Sequence, residues 1–163
     1  MHAQLKNKKK FSLVLVKPSH YDDNGYVIQW FRSSMPANSL ACLYGLAVEC
    51  DQEKVLGKNV ELEVHAFDET NTHINTGKIA SLIENADDGM LMLVGVQTNQ
   101  FPRSLDIAAP LRAMGIKVAV GRFHVSGVIS MLKEPDDLMQ QALDIGVSIF
   151  SGEAEFIAAP AQM

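Results

Sequence analysis

The chain has 163 residues, of which 47% are hydrophobic, 20% charged and 7% aromatic, enough for one domain with a buried core and too few for two. A formal charge of -5 and a sequence pI near 5.5 leave no electrostatic footprint for nucleic acid, and no apolar run reaches the roughly 18 residues of a membrane span. Its two cysteines, Cys42 and Cys50, exclude a disulfide framework, a four-thiolate zinc site and an iron–sulfur cluster held by this chain alone.

Residues 1–10 are basic, with lysines clustered at 6–10, and read as a solvated tail rather than a signal peptide. The domain then occupies 11–157, and 158–163 form a C-terminal tail. Its first run, FSLVLV at 11–16, is short, β-branched and nearly continuous, as a strand buried on both faces should be. The connection that follows, 17–36, exceeds the roughly 2–6 residues usual for a strand-to-helix loop and reads as a functional flap. It carries Tyr26, Trp30 and Phe31, suited either to cover a large planar ligand or to pack onto the end of the sheet. Asn38 or Ser39 is the expected cap of a first helix with Leu40, Leu43, Tyr44, Leu46 and Ala47 on one face.

VELEV at 60–64 alternates apolar and acidic residues, the pattern of an exposed edge strand. After a polar loop at 67–75, Asn75 or Thr76 is placed to cap a second helix carrying Ile79, Leu82, Ile83 and Ala86. MLMLVGV at 90–96 is the third strand, and the loop 97–102 leads to a third helix that starts at Pro102 and stops at Gly115. Pro110 lies inside that helix, where a proline costs about 3 kcal/mol, so a kink or an early break is expected. KVAV at 117–120 is the fourth strand. A last helix runs from Asp136 or Asp137 through Leu138, Ala142 and Leu143 to Gly146, before the fifth strand at 147–150.

Repeated strand–helix alternation implies βαβ units and therefore a parallel sheet covered on both faces. The expected architecture is a three-layer, flavodoxin-like (Rossmann-type) α/β fold with strand order 2-1-3-4-5, the alternating second strand at an edge. Ligands of such sheets bind beyond the carboxyl ends of the strands. The loops there hold most of the polar and glycine residues, including Gly95, Gly121, Gly127 and Gly152, while the opposite turns are short. A phospho-receiver domain would need acidic residues after strands one and three and a lysine after strand five, where Lys17, Gln97 and Ser151 stand. A dinucleotide fold would need Gly-x-Gly-x-x-Gly after strand one, and none is present. His20 and His124 are the candidate metal ligands or general bases, with no partner placed for them by the sequence.

The loops LVKPSHYDDNGY (15–26), NSLACLYG (38–45), VQTNQFP (96–102), GRFHVSG (121–127) and GEAE (152–155) together resemble the N-terminal cobalamin-binding domain of radical S-adenosylmethionine (radical SAM) proteins. The similarity spans about 11–156 and rests on the order and placement of these stretches rather than on one motif. It implies a corrinoid lying across the strand ends with its nucleotide tail beside the sheet. The contacts implied are Ser19, His20 and Tyr21 below or beside the ring, Gln97, Thr98 and Asn99 from the third loop, and Gly121, Phe123, His124, Ser126 and Gly127 from the fourth. Gly152 and Glu153 complete the set, and His20 is the implied lower ligand of cobalt. Relatives that ligate cobalt carry Asp-x-His-x-x-Gly, and here Pro18 and Asp23 occupy the Asp and Gly places. Arg122 stands where a second glycine is usual after strand four, and the Ser-x-Leu expected after strand three is absent. The resemblance further implies a partner, a radical SAM catalytic module in cis or in trans, because the Cys-x-x-x-Cys-x-x-Cys that holds a 4Fe–4S cluster is missing here. The expectation is thus a cytoplasmic cobalamin-binding module for methyl-transfer or rearrangement chemistry, binding neither nucleic acid nor membrane and not catalytic alone. The alternative is a degenerate α/β interaction module that has lost its cofactor.

Overall fold

The structure, a computed structural model, describes residues 8–31, 37–121 and 137–150. The elements alternate along the chain as β1 (Lys9–Lys17), α1 (Asn38–Gln52), β2 (Val60–Asp68), α2 (Thr76–Glu84), β3 (Asp88–Leu93), α3 (Phe101–Ala113), β4 (Lys117–Gly121), α4 (Asp137–Asp144) and β5 (Ser148–Phe150). Every strand pairing is parallel and the order is β2-β1-β3-β4-β5, so the three-layer flavodoxin-like fold is realised with β2 at one edge. None of the described helices is long and apolar enough to cross a membrane.

Two-residue periodicity in the strands sorts their side chains between two layers. Val14, Val16, Leu91, Leu93, Val118 and Val120 point to the face covered by α2, α3 and α4, where they meet Ile79, Ile83, Ile107, Leu111, Met139 and Ala142 in the main core. Leu15 and Val94 point the other way and pack against Leu40 of α1. Phe101, fully buried at the start of α3, contributes on the order of 2–3 kcal/mol by leaving water.

The boundaries differ from expectation in instructive places. β1 begins at Lys9, two residues into the basic stretch, because Lys10 donates its backbone N–H to Asp87 and pairs its ammonium with Glu63. β2 continues four residues beyond Val64, since His65 to Asp68 stay in register with Val14 to Lys17. β3 stops at Leu93 rather than at 96: Gly95 turns the chain at φ +64° and sits against Ser39, where a Cβ would come within 3.1 Å of the serine Cβ. The cap of α1 is Ala37 with no side-chain hydrogen bond, so Asn38 and Ser39 fall inside the first turn instead of capping it. Tyr44, assigned to the buried face of that helix, is exposed. Asn75 caps α2 as expected, its carboxamide oxygen accepting from the N–H of Lys78 at 3.0 Å. α3 starts one residue early, at Phe101, and runs through Pro110 to Ala113 without breaking. Beyond the proline, Arg112 ties the end of α3 to the neighbouring turn by donating to the carbonyls of Ile116 and Ile145.

Candidate functional site

In this order β1 lies between β2 and β3, so the loop after β1 and the loop after β3 leave adjacent strands at the same end of the sheet. That is the switch point where open α/β sheets bind ligands. The first loop brings Ser19, His20 and Tyr21 there, and the third brings Gln97, Thr98 and Asn99 on a single 3₁₀ turn, Thr98–Gln100. Gly121 ends β4, one strand further along, with Phe150 beside it. Phe123, His124, Ser126, Gly127, Gly152 and Glu153 lie outside the described residues.

The candidates differ in what they are free to do. Ser19 is buried; its hydroxyl donates to the carbonyl of Ile28 and its N–H to Glu69, so it shapes the loop from inside. His20 is half-buried, and its carbonyl accepts from the N–H of Ile28, the start of a small antiparallel pairing completed by Tyr21 and Val27. Its imidazole has no orienting partner among the described residues, and no group of three metal-ligating side chains is found among them. Gln97, Thr98 and Asn99 are exposed, with the Gln97 amide engaged in a reciprocal cap with Gln100. Tyr26, Trp30 and Phe31 are 72%, 65% and 98% exposed, so they stand open at the strand ends instead of packing onto the sheet.

Beneath this open surface is a polar cluster that the sequence did not disclose. Glu69, the residue after β2, is 1% exposed. Its carboxylate accepts the Ser19 N–H at 3.0 Å and both Nε and Nη2 of Arg103, the latter at 2.6 Å. Arg103 also reaches the Tyr21 hydroxyl at 3.5 Å and lies 5.9 Å from the centre of that ring. The Tyr21 hydroxyl in turn donates to Asp106, one turn further along α3. Burial, then the hydrogen bond to Asp106, pushes the Tyr21 hydroxyl above the ordinary 10.0 of a tyrosine. Burial works to lower the Arg103 value, but the bonds to Glu69 and Tyr21 outweigh it and hold the guanidinium more firmly charged than usual.

No protein-family model matches this sequence, and no curated protein or solved structure matches it either. The functional reading therefore stands on the strand-end geometry and the loop residues.

Glu69, Arg103 and Asp106 carry no local signal in the sequence that they meet. An acidic residue in a polar loop and an Arg/Asp pair three apart on a helix look like solvated surface. Only the return of α3 beside the end of β2 makes them one cluster. The available signal was topological: in a 2-1-3-4-5 sheet the second and third loops both approach the end of β1.

Proposed function

We propose that the carboxyl edge of this sheet binds a corrinoid, cobalamin, and that the chain serves as the cofactor-holding module of a cytoplasmic radical SAM system. The observation that carries the reading is that the loop after β1 exposes Tyr26, Trp30 and Phe31, an aromatic lip, while the loop after β3 exposes Gln97, Thr98 and Asn99, and the two loops leave the adjacent strands of the β1/β3 switch point. A broad planar ring with amide side arms offers both surfaces what they require, apolar contact on one side and hydrogen-bonding groups on the other. The described residues fit such a group in part. His20, Asn99 and Gly121 would meet it directly, whereas Ser19 would act by holding the turn. Bound cobalt would supply the methyl-transfer or rearrangement chemistry, and this chain would orient the ring and exclude water.

The test is absorption spectroscopy of the full chain mixed with hydroxocobalamin and then desalted. The expected result is a retained corrinoid with shifted bands, and weaker retention by Asn99→Ala. Free passage of all the corrinoid through the column rejects the reading. The second reading, an interaction module without cofactor, is favoured by the same exposed aromatics, which a partner protein would also cover. It predicts no corrinoid uptake together with self-association that is lost on Phe31→Ser.

A further inference from the structure

Glu69 ties together segments that are distant in sequence and that frame the first loop. Its backbone N–H donates to the Lys17 carbonyl at 3.0 Å, where β1 ends, and its carboxylate takes the Ser19 N–H at 3.0 Å, where the loop begins. On the returning arm, Gln29 donates its amide to the Glu69 carbonyl at 3.1 Å, and the Trp30 N–H donates to the neighbouring Thr70 carbonyl at 2.7 Å. Arg103 then fastens the carboxylate to α3 through two nitrogens. Both arms of the loop are thus held at two consecutive residues, and the first of these, Glu69, is held to the helix.

We infer that Glu69 is the positioning residue of the strand-end site, pinning both arms of the β1–α1 loop to α3 so that the aromatic lip is presented in one orientation. The inference rests on reading that edge as a ligand site. Two facts favour positioning over simple loop closure. Burying a carboxylate is costly unless a bidentate partner and further donors satisfy it, and here they do. The loop so fastened buries little with its large side chains, since Tyr26, Trp30 and Phe31 remain open. A backbone held this firmly while its aromatics stay exposed is preorganised for something that lands on them.

Trp30 is the only tryptophan of the chain, so its fluorescence anisotropy reports the loop directly in the intact protein. In Glu69→Gln the new amide turns donors towards Arg103, and the anisotropy is expected to fall, with chymotryptic cleavage at the loop aromatics at least fivefold faster. Affinity for hydroxocobalamin is expected to drop at least tenfold, with the spectrum of the saturated complex unchanged. Glu69→Gln/Arg103→Met removes the stranded guanidinium and keeps the test alive if the single variant folds poorly; circular dichroism checks the fold. Gln29→Ala removes one of the bonds on the returning arm, leaving the Trp30 N–H on Thr70, and should show a smaller anisotropy loss. Unchanged anisotropy in folded Glu69→Gln and in the double variant overturns the inference. A fall in anisotropy in a protein whose wild type takes up no hydroxocobalamin supports the pin and rejects the corrinoid reading alone.

Discussion

At the carboxyl edge of the sheet Arg103 and Glu69 approach to 2.6 Å with side chains 18% and 1% exposed; at the amino edge Lys117 and Asp88 approach to 2.7 Å with side chains 61% and 53% exposed. The separations are almost equal and the surroundings opposite. Coulomb attraction at such a distance is several-fold stronger where water is displaced, and the cost of stripping either ion of its partner rises with it. The carboxyl-edge pair therefore holds loop geometry, whereas the amino-edge pairs, Lys10 with Glu63 included, join exposed side chains of neighbouring strands whose register is set by backbone pairing.

The largest effect that separates the edges is expected from Glu69→Gln, about 3 kcal/mol of lost stability in urea unfolding, since a mostly buried arginine loses its counter-charge. The slight exposure of Arg103 puts the figure at the low end of the range for buried pairs. A loss no greater than that of an amino-edge charge variant would erase the contrast.

Next comes Gly89→Ala, which probes what does matter at the amino edge. A Cβ at Gly89 would lie 2.5 Å from the carbonyl oxygen of Ser12 in β1 and 3.1 Å from the Ile83 side chain. Backbone cannot yield as a flexible side chain can, so about 1–3 kcal/mol of destabilisation is expected from overpacking. The check is the urea midpoint, with an unchanged slope showing that two-state unfolding persists.

The same contrast explains what the amino-acid sequence alone makes legible. Strand and helix positions were legible because they follow from local periodicity: FSLVLV, MLMLV and the Ile79–Ile83 spacing announce their burial by themselves, and the strand order then follows from the rules for βαβ units. Asn75 was legible as a cap for the same reason, its oxygen serving a residue three positions on. Of the kink or early break expected at Pro110, the early break did not occur, because helix propensity is a local cost and Ile107, Ala108 and Leu111 pack α3 firmly around it. The polar cluster was illegible because Glu69, Arg103 and Tyr21 meet only through tertiary structure. The open lip was half legible: the loop's length was visible, but whether Trp30 and Phe31 would pack inward depended on whether the sheet end had room for them.

A smaller effect is expected from Tyr21→Phe, which removes the hydroxyl shared by Asp106 and Arg103 and leaves the ring. The expected cost is about 1 kcal/mol, that of one partly exposed hydrogen bond. The pH dependence has a definite sign. Because the folded value is raised, the contribution is complete below the ordinary tyrosine value of 10.0 and is lost as pH rises through the folded value. Ultraviolet titration should therefore show a late tyrosine component that is absent from Tyr21→Phe.

The smallest effect closes the contrast from the solvated side. The hydrogen bond from Lys117, with help from the Gly89 N–H, holds the Asp88 carboxyl below its ordinary 3.8. A lowered folded value means that the stabilisation is present above that ordinary value and is lost as pH falls through the folded one. With more than half of each side chain in water, screening leaves at most a few tenths of a kcal/mol at neutral pH. Asp88→Asn should thus move the urea midpoint barely at pH 7 and not at all in about 1 M salt, where the screening length is about 3 Å. If Asp88→Asn cost as much as Glu69→Gln, burial would no longer distinguish the edges, and the pinning role of Glu69 would lose its energetic basis.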